Sequence, residues 1–311
     1  MSEKKTLNKQ DGVALITVML IVALATVLAV SMSSRQQIDI HRSSNVLNLD
    51  QAYQYISGSE SWAKQILKRD LIKNKTDSWQ DDWAAVIPPL TIEGGTMSGQ
   101  LEDLQARFNI NNLILDGKVQ KIETERFKKL LRNLQLNENL VNVITDWIDG
   151  NENVGFSGAE DNEYLALTPA YRAANQAITD ISELLLVQDF NAEIVEILRP
   201  FVCVLKSNTK INVNTATAEV LSSLADDLLL ADARMVVAER DKKSYEKLDD
   251  FLLLPLIKNT KIKKEGLSVK SDYFQLTSNS QVGKIKLTYV TVLQREADGN
   301  VLTLKRSRET L

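Results

Sequence analysis

The residues best suited to chemistry lie in one acidic segment near the middle of the chain. Within sixteen positions it carries six side chains with oxygen donors: Asp146, Asp149, Asn151, Asn153, Glu160 and Asp161. With Asp149 as position one, later oxygen donors take positions three, five and twelve, as the ligands of an EF-hand loop do. Position six is Val154, where an EF-hand has glycine. The segment predicts a hard-cation site that is not a true EF-hand, although composition alone favours a solvated acidic loop.

Few other residues of the chain could support catalysis. The 311 residues include one histidine, His41, and one cysteine, Cys203. These counts exclude a His/Cys zinc site, a CxxC redox pair and a disulfide within one chain, and a Ser-His-Asp triad would depend on His41. The 37 basic and 41 acidic residues give a net charge of -4, which does not favour nucleic acid as a partner. We therefore expect a protein that is not an enzyme and binds no nucleic acid.

The N-terminus carries a segment that can cross a membrane. Residues 13–32 contain no charge, and twenty helical residues span about 30 Å, the thickness of a bilayer core. The lysines before this segment predict a cytoplasmic N-terminus. Gly12 directly precedes the apolar run, as in a type IV prepilin leader, which would be cleaved to leave Val13 as the first mature residue. The alternatives are an uncleaved anchor and a secretory signal peptide cut near Ala29-Val30-Ser31.

The apolar run is expected to continue into a soluble amphipathic helix. No glycine or proline occurs from residue 13 to residue 57. Apolar side chains then recur mostly at helical spacing on one face: Leu49, Ala52, Tyr53, Ile56, Ala63, Ile66 and Leu67. This pattern predicts one helix of roughly 55–60 residues, half in lipid and half on a soluble domain.

The order of elements in the remaining chain predicts an α+β fold. Short strands with a turn at Gly94-Gly95 come first, helical patterns follow over about residues 103–264, and strands return at the end. We expect a long N-terminal helix packed on a small antiparallel sheet, with a large all-α domain inserted into it. The expected segments are a leader (1–12), the membrane part of the helix (13–32), a pilin-like first part (33–102), the insert (103–268) and the C-terminal strands (269–311). Two domains in series are the alternative.

Several stretches resemble one known family. They include GVALITVMLIVALA, LEDLQARFNINNL, ITDWIDGNENVGFSGAEDNEY and KINVNTATAEVL. In these stretches the chain is similar to the general secretory pathway protein K family, the large minor pseudopilins of type II secretion systems. The resemblance implies a pilin-like fold whose insert contains helical-hairpin (SAM-like) modules. It also implies a structural calcium site in the acidic segment, with the six oxygen donors as candidate ligands.

The same resemblance implies a place and a set of partners. The protein would be a single-pass protein of the inner membrane, with its soluble domain in the periplasm at the tip of the pseudopilus. There it would help to initiate and cap assembly for protein export. Its partners would be the minor pseudopilins I, J and H and the prepilin peptidase that cuts between Gly12 and Val13. The alternative function is a membrane-anchored periplasmic protein that binds calcium or nucleic acid outside any fibre.

Two local features bear on this interpretation. The fifth residue counted from Val13 is Thr17, whereas most pilins and pseudopilins have a glutamate there that is thought to pair with a neighbouring subunit's N-terminal amine. Thr17 can instead satisfy its hydroxyl on a carbonyl one helical turn back, which agrees with a tip subunit. Residues 210–219 resemble the opening of a helix-hairpin-helix DNA-binding module. Residues 225–230, however, lack glycine and carry two carboxylates, so we predict a structural hairpin.

Overall fold

The computed structural model describes residues 11–86, 88–206 and 208–309. Its first element is helix α1 (Asp11–Lys73), a single unbroken helix of 63 residues and so about 95 Å long. The continuity predicted from the sequence is therefore confirmed, and the helix is slightly longer than expected. Most of the predicted leader, residues 1–10, lies outside the described residues.

The other elements follow α1 in chain order. The helices are α2 (Lys121–Asn133), α3 (Leu140–Ile148), α4 (Asp161–Leu165), α5 (Ala192–Leu198), α6 (Ala218–Ser222), α7 (Leu230–Arg240) and α8 (Leu248–Leu252). The strands are β1 (Leu90–Ile92), β2 (Gly95–Asp103), β3 (Phe108–Asn109), β4 (Ile114–Leu115), β5 (Lys118–Val119), β6 (Val202–Cys203), β7 (Ile211–Asn212), β8 (Leu267–Ser268), β9 (Tyr273–Val282), β10 (Ile285–Arg295) and β11 (Val301–Glu309).

The main sheet has five antiparallel strands in the order β1-β2-β9-β10-β11. One face of the second half of α1 packs on it, because Ala52, Ile56, Ala63 and Leu67 are buried against residues of β9 and β10. The strands that the sequence predicts at the C-terminal end, on either side of residues 297–300, form a hairpin of β10 and β11 with Gly299 at φ 83° in its turn. We call α1 and this sheet the pilin-like body.

Residues 104–272 leave the sheet after β2 and return at β9, and we call them the inserted body. It has a hydrophobic core of its own, in which Phe108 and Phe127 stack with ring centroids 5.1 Å apart. The long helix, the small antiparallel sheet and the further helices confirm the predicted α+β, pilin-like fold class. The inserted body is mostly helical and also contains two short parallel pairs, β3–β6 and β7–β8.

Two expected helices are shorter than the apolar spacing predicted. The apolar spacing of residues 191–205 predicts a helix, but α5 ends at Leu198, and Val202 and Cys203 form β6. Pro200 explains this end, because it has no backbone N–H with which to continue the helical hydrogen bonds. Residues Ile181–Leu186 form a 3-10 helix capped by Asp180, whose carboxylate accepts from the Ser182 amide at 3.0 Å.

Candidate functional site: the acidic loop and the N-terminal helix

The acidic loop, residues 146–161, joins the end of α3 to the start of α4. Asp146 lies in the last turn of α3, Asp149 is the residue after that helix, and Glu160 precedes α4. These three carboxylate residues are 4%, 7% and 2% exposed, although residues 150–157 between them are exposed. The fold thus brings carboxylates from both ends of the loop into the protein interior, which a freely solvated acidic loop would not do.

Glycines of the loop allow the backbone to approach Asp146 closely. The Gly155 amide donates to Asp146 Oδ2 at 2.8 Å. A Cβ atom at Gly158 would lie 1.8 Å from the same oxygen, and one at Gly155 would lie 2.8 Å from Oδ1. Neither position can accept a larger side chain without moving the carboxylate, so glycine at both positions is a geometric requirement of this loop.

Glu160 is the most unusual group of the loop. Among the described residues neither of its carboxylate oxygens has a hydrogen-bond partner, although both are buried. Desolvation first, and then repulsion from Asp146 and Asp149, raise the pKa of Glu160 to about 7. Burial likewise raises the pKa of Asp146. A buried carboxylate without partners is costly, and a bound cation is one of the few things that can offset that cost.

The other three predicted ligands of the loop are less buried and make different contacts. Asn151 and Asn153 are both exposed. The backbone N–H of Asn151 donates to the Asp149 carboxylate, and the backbone N–H of Asn153 donates to the side-chain oxygen of Asn151. Asp161 is engaged by the Arg172 guanidinium and by the Ala173 amide, both at 3.0 Å. Over the described ranges, no three Asp, Glu, His or Cys side chains are arranged as a ready-made metal cage. Of the six predicted residues, Asp146, Asp149 and Glu160 are buried, and the charges of Asp146, Asp149 and Asp161 all act on Glu160.

Sequence reasoning missed two contributors to this loop. Glu152 is exposed, but its charge adds to the repulsion on Glu160. An aromatic cluster supports the loop, since Tyr164 contacts Trp147 edge-on at 5.0 Å and stacks on Tyr171 at 5.5 Å. Aromatic residues that flank the acidic segment were the available signal, but their contacts depend on the tertiary fold.

The N-terminal part of α1 stands away from the rest of the protein. Residues 13–46 are exposed on all sides, and the helix is long and apolar enough to cross a membrane, which fits a single-pass anchor. The Thr17 hydroxyl donates to the carbonyls of Val13 and Ala14, at 3.1 and 2.9 Å. The predicted intrahelical bond of Thr17 is thus present, and it leaves this side chain neutral and satisfied without a neighbour.

The predicted structural hairpin also has a defined geometry. Helices α6 and α7 are joined by residues 223–229, and Lys129 of α2 donates to the Ala225, Asp226 and Leu228 carbonyls at 3.3, 2.5 and 3.4 Å. This turn therefore presents carbonyl oxygens to a lysine, whereas a phosphate-binding hairpin presents amides.

Comparisons with known proteins agree with one another. Two models of the family described as "Type II secretion system (T2SS), protein K" match residues 106–207 and 211–270. The Type II secretion system protein K of Pseudomonas aeruginosa is 35% identical over 309 residues, which cover 96% of this chain and 92% of that protein. Its counterpart in Aeromonas hydrophila is 29% identical over 322 residues, covering 96% and 97%. Among solved structures, the GspK-GspI-GspJ complex of enterotoxigenic Escherichia coli matches with a TM-score of 0.78 and 28% identity, over 87% of this chain and 100% of that one.

Proposed function

The chain belongs to the type II secretion system protein K family and is a minor pseudopilin, and we propose that it occupies the tip of the pseudopilus. The observation that carries this proposal is the inserted body, residues 104–272, which emerges between β2 and β9 of the pilin-like body. Subunits of a helical fibre pack closely around their N-terminal helices. A body of this size fits only where no further subunit is added above it.

Thr17 supports the same placement. A carboxylate within a membrane is costly unless a neighbouring cation pairs with it. The bonds of Thr17 to its own helix need no such neighbour. A subunit that has nothing above it therefore loses nothing by carrying threonine at this position.

The partners would be the smaller pseudopilins of the same system. The solved relative is described as a complex with GspI and GspJ, and we extend that assembly to this chain and add minor pseudopilin H. The exposed stretch of α1, residues 13–46, offers the surface on which neighbouring N-terminal helices would pack. In this role the protein would help to initiate and cap the pseudopilus, and it would not be a catalyst itself.

The proposed cellular location follows from the apolar N-terminal part of α1. The protein would be inserted in the inner membrane with its N-terminus in the cytoplasm and both folded bodies in the periplasm. The prepilin peptidase would cut between Gly12 and Val13, and α1 continues through both residues without a break. Family membership does not favour the alternative of a calcium- or nucleic-acid-binding protein outside any fibre.

The acidic loop would bind calcium for structural reasons. Asp146, Asp149 and Glu160 carry buried carboxylates, and both oxygens of Glu160 are unpartnered among the described residues, which suits a hard cation. Asn151 and Asn153 could add neutral oxygens from the exposed side of the loop, whereas Asp161 stays with Arg172. A bound calcium ion would offset the repulsion among the carboxylates and hold together a stretch that has little regular hydrogen bonding.

Co-purification tests the proposed function. The full chain, expressed with minor pseudopilins I and J and extracted in detergent, is expected to form a hetero-oligomer with one copy of this subunit. Variants that shorten the exposed part of α1 provide the control, because the two folded bodies remain unchanged. Homopolymeric filaments of this chain, or no association with I and J, would contradict the placement at the tip.

A further inference from the structure

A cluster of buried charged residues lies where the inserted body joins the pilin-like body. We call it the junction cluster, and it consists of Asp70 of α1, Asp77, Asp103 at the end of β2 and Arg295 at the end of β10. All four side chains are buried. The chain leaves the sheet at Asp103 and returns to it just before β9, so the cluster occupies the two crossovers that connect the bodies.

Asp103 ties together both crossovers and the inserted body. Its Oδ1 accepts from the Gln105 amide at 2.8 Å. Its Oδ2 accepts from the hydroxyls of Thr215 and Ser271, at 2.5 and 2.6 Å, and from Asn212 Nδ2 at 3.1 Å. The donors therefore come from the outgoing crossover, from the returning crossover, and from β7 and the segment after it.

Arg295 and Asp77 extend these contacts to α1. Arg295 donates through one terminal nitrogen to both Asp77 oxygens, at 2.6 and 2.7 Å, and through the other to Asp70 Oδ2 at 3.1 Å. Asp77 Oδ2 also accepts from the Ser271 amide at 2.9 Å, and the Asp77 carbonyl accepts from Asn212 Nδ2 at 3.0 Å. The hydrogen bonds and ion pairs of the junction cluster therefore form one connected network between the inserted body and the pilin-like body.

The charges of the network do not balance. The cluster contains three carboxylates and one guanidinium, and Arg295 pairs with only two of them, Asp70 and Asp77, while Asp103 has no cationic partner among the described residues. Two further carboxylates flank them: Asp81 lies near Asp70 and Asp77, and Asp272 lies near Asp77 and Arg295. The other cations nearby are already engaged or face outward, since Arg107 pairs with Glu102 at 2.6 Å and Lys210 and Lys270 act on Asp272. Unpaired negative charge in a desolvated site favours uptake of a proton.

We propose that the junction cluster is a proton-linked clamp, which fixes the inserted body on the pilin-like body and retains a proton when it closes. Asp103 is the best candidate to hold the proton, because it is completely enclosed and its hydroxyl partners, Ser271 and Thr215, can each turn from donor to acceptor. Burial raises the pKa of Asp103 to about 6 and outweighs the hydrogen bonds from Ser271, Thr215 and Gln105, which act to lower it.

The direction of the effect follows from linkage. The folded protein binds the proton more tightly than the unfolded chain, so the contribution of Asp103 to stability is greatest in acid and declines as pH rises from about 4 to about 6. Above that range the folded state carries the full cost of the buried charge. Asp103 therefore contributes most to holding the two bodies together below about pH 4, and this contribution is lost by about pH 6.

Denaturant unfolding of the full chain in detergent tests the proposal. Fluorescence of Trp79 and Trp83 is a suitable probe, because the Trp79 indole donates to the Thr215 carbonyl at 3.0 Å and so lies beside the cluster. A constant excess of chelator keeps the acidic loop free of metal, and the titration of Glu160 in the same pH range is common to the parent and the variants, so it cancels when they are compared. Between pH 4.5 and 7.5, the unfolding equilibrium constant of the parent is expected to rise 10- to 100-fold more than that of Asp103→Asn, or about 1.4–2.7 kcal/mol at 1.36 kcal/mol per tenfold. Asp50→Asn, at an exposed position of α1, is the matched control and should follow the parent.

A second variant keeps the test decisive if Asp103→Asn does not fold. Ser271→Ala removes one donor to Asp103 Oδ2 and should move the pH at which stability declines to higher values. A purely structural loss would lower stability equally at every pH. Parallel pH profiles for the parent and the variants would overturn the proposal.

Discussion

Replacement of Glu160 by glutamine should have opposite effects on stability with and without calcium. In the chelated protein at pH 8, Glu160 is ionised, buried and close to two other carboxylates. Its pKa of about 7, against 4.5 for the free group, implies a cost of about 3 kcal/mol at 1.36 kcal/mol per unit. Glutamine keeps the shape and removes the charge, and its amide can donate to the neighbouring carboxylates. We therefore expect Glu160→Gln to stabilise the calcium-free protein by about 2 kcal/mol at pH 8.

The stability difference between Glu160→Gln and the parent depends on pH and on calcium. A carboxyl group with a raised pKa in the folded state destabilises it only where the unfolded chain is ionised, so the cost grows as pH rises from about 4.5 to about 7. At pH 4.5 the variant and the parent should therefore differ little. In saturating calcium the order reverses, because the variant has lost a ligand, and ligand binding at 100 times the Kd contributes about 2.7 kcal/mol.

Denaturant unfolding of the full chain in detergent, at pH 4.5 and 8 with chelator and with calcium, measures all of these effects. Glu152→Gln is the matched control, since Glu152 lies on the same loop, is exposed, and should give a small change of the same sign in chelator. If Glu160→Gln is less stable than the parent in chelator at pH 8, then the carboxylate is not under repulsion and our account of the loop is wrong. If calcium stabilises neither protein, the acidic loop is merely a solvated one.

Three further predictions concern other positions. Gly158→Ala should destabilise the chain by about 1–3 kcal/mol in thermal or denaturant unfolding, because its Cβ would collide with Asp146 Oδ2, whereas Gly150→Ala has open space and should be neutral. Gly12→Leu should block processing, so that N-terminal sequencing of the membrane form finds the leader in place of Val13; Gly58→Ala, where nothing lies within 4 Å of the new methyl group, should be processed normally. Thr17→Glu should give no gain in pseudopilus assembly measured by secretion of an exported protein, and a clear gain would contradict a tip position.

The sequence was most informative where the structure depends on local patterns. The predicted length and continuity of α1 needed only the absence of glycine and proline and a helical spacing of apolar residues. The C-terminal hairpin likewise follows from alternating strands around a turn that contains Gly299. The spacing of apolar residues also predicts a helix that continues through Val202, and this prediction is wrong. It gives more weight to the apolar spacing than to Pro200, which cannot donate a helical hydrogen bond.

The acidic loop could be predicted as a candidate but not in its geometry. Spacing placed six oxygen donors on one loop, and three of them, Asp146, Asp149 and Glu160, are drawn inside because both α3 and α4 pack into the core of the inserted body. The Asp161 carboxylate accepts a hydrogen bond from Arg172, and the spacing of the acidic residues does not predict that contact. The spacing of oxygen donors in the sequence therefore identifies the segment, and which of the six residues bind the cation stays a prediction.

The junction cluster marks the limit of sequence reasoning more sharply. Asp103 meets Thr215 and Ser271, which are 112 and 168 positions away in the chain, and no local pattern relates them. A large insertion into a small sheet creates this situation, because its two crossovers must lie side by side at adjacent strands, β2 and β9. Backbone groups at those crossovers are buried and need partners, so side chains such as those of Asp103 and Asp77 enter the interior with their charge. The excess of negative charge in the junction cluster is thus a consequence of how the inserted body is attached. For this reason the cluster can be recognised only in the folded protein.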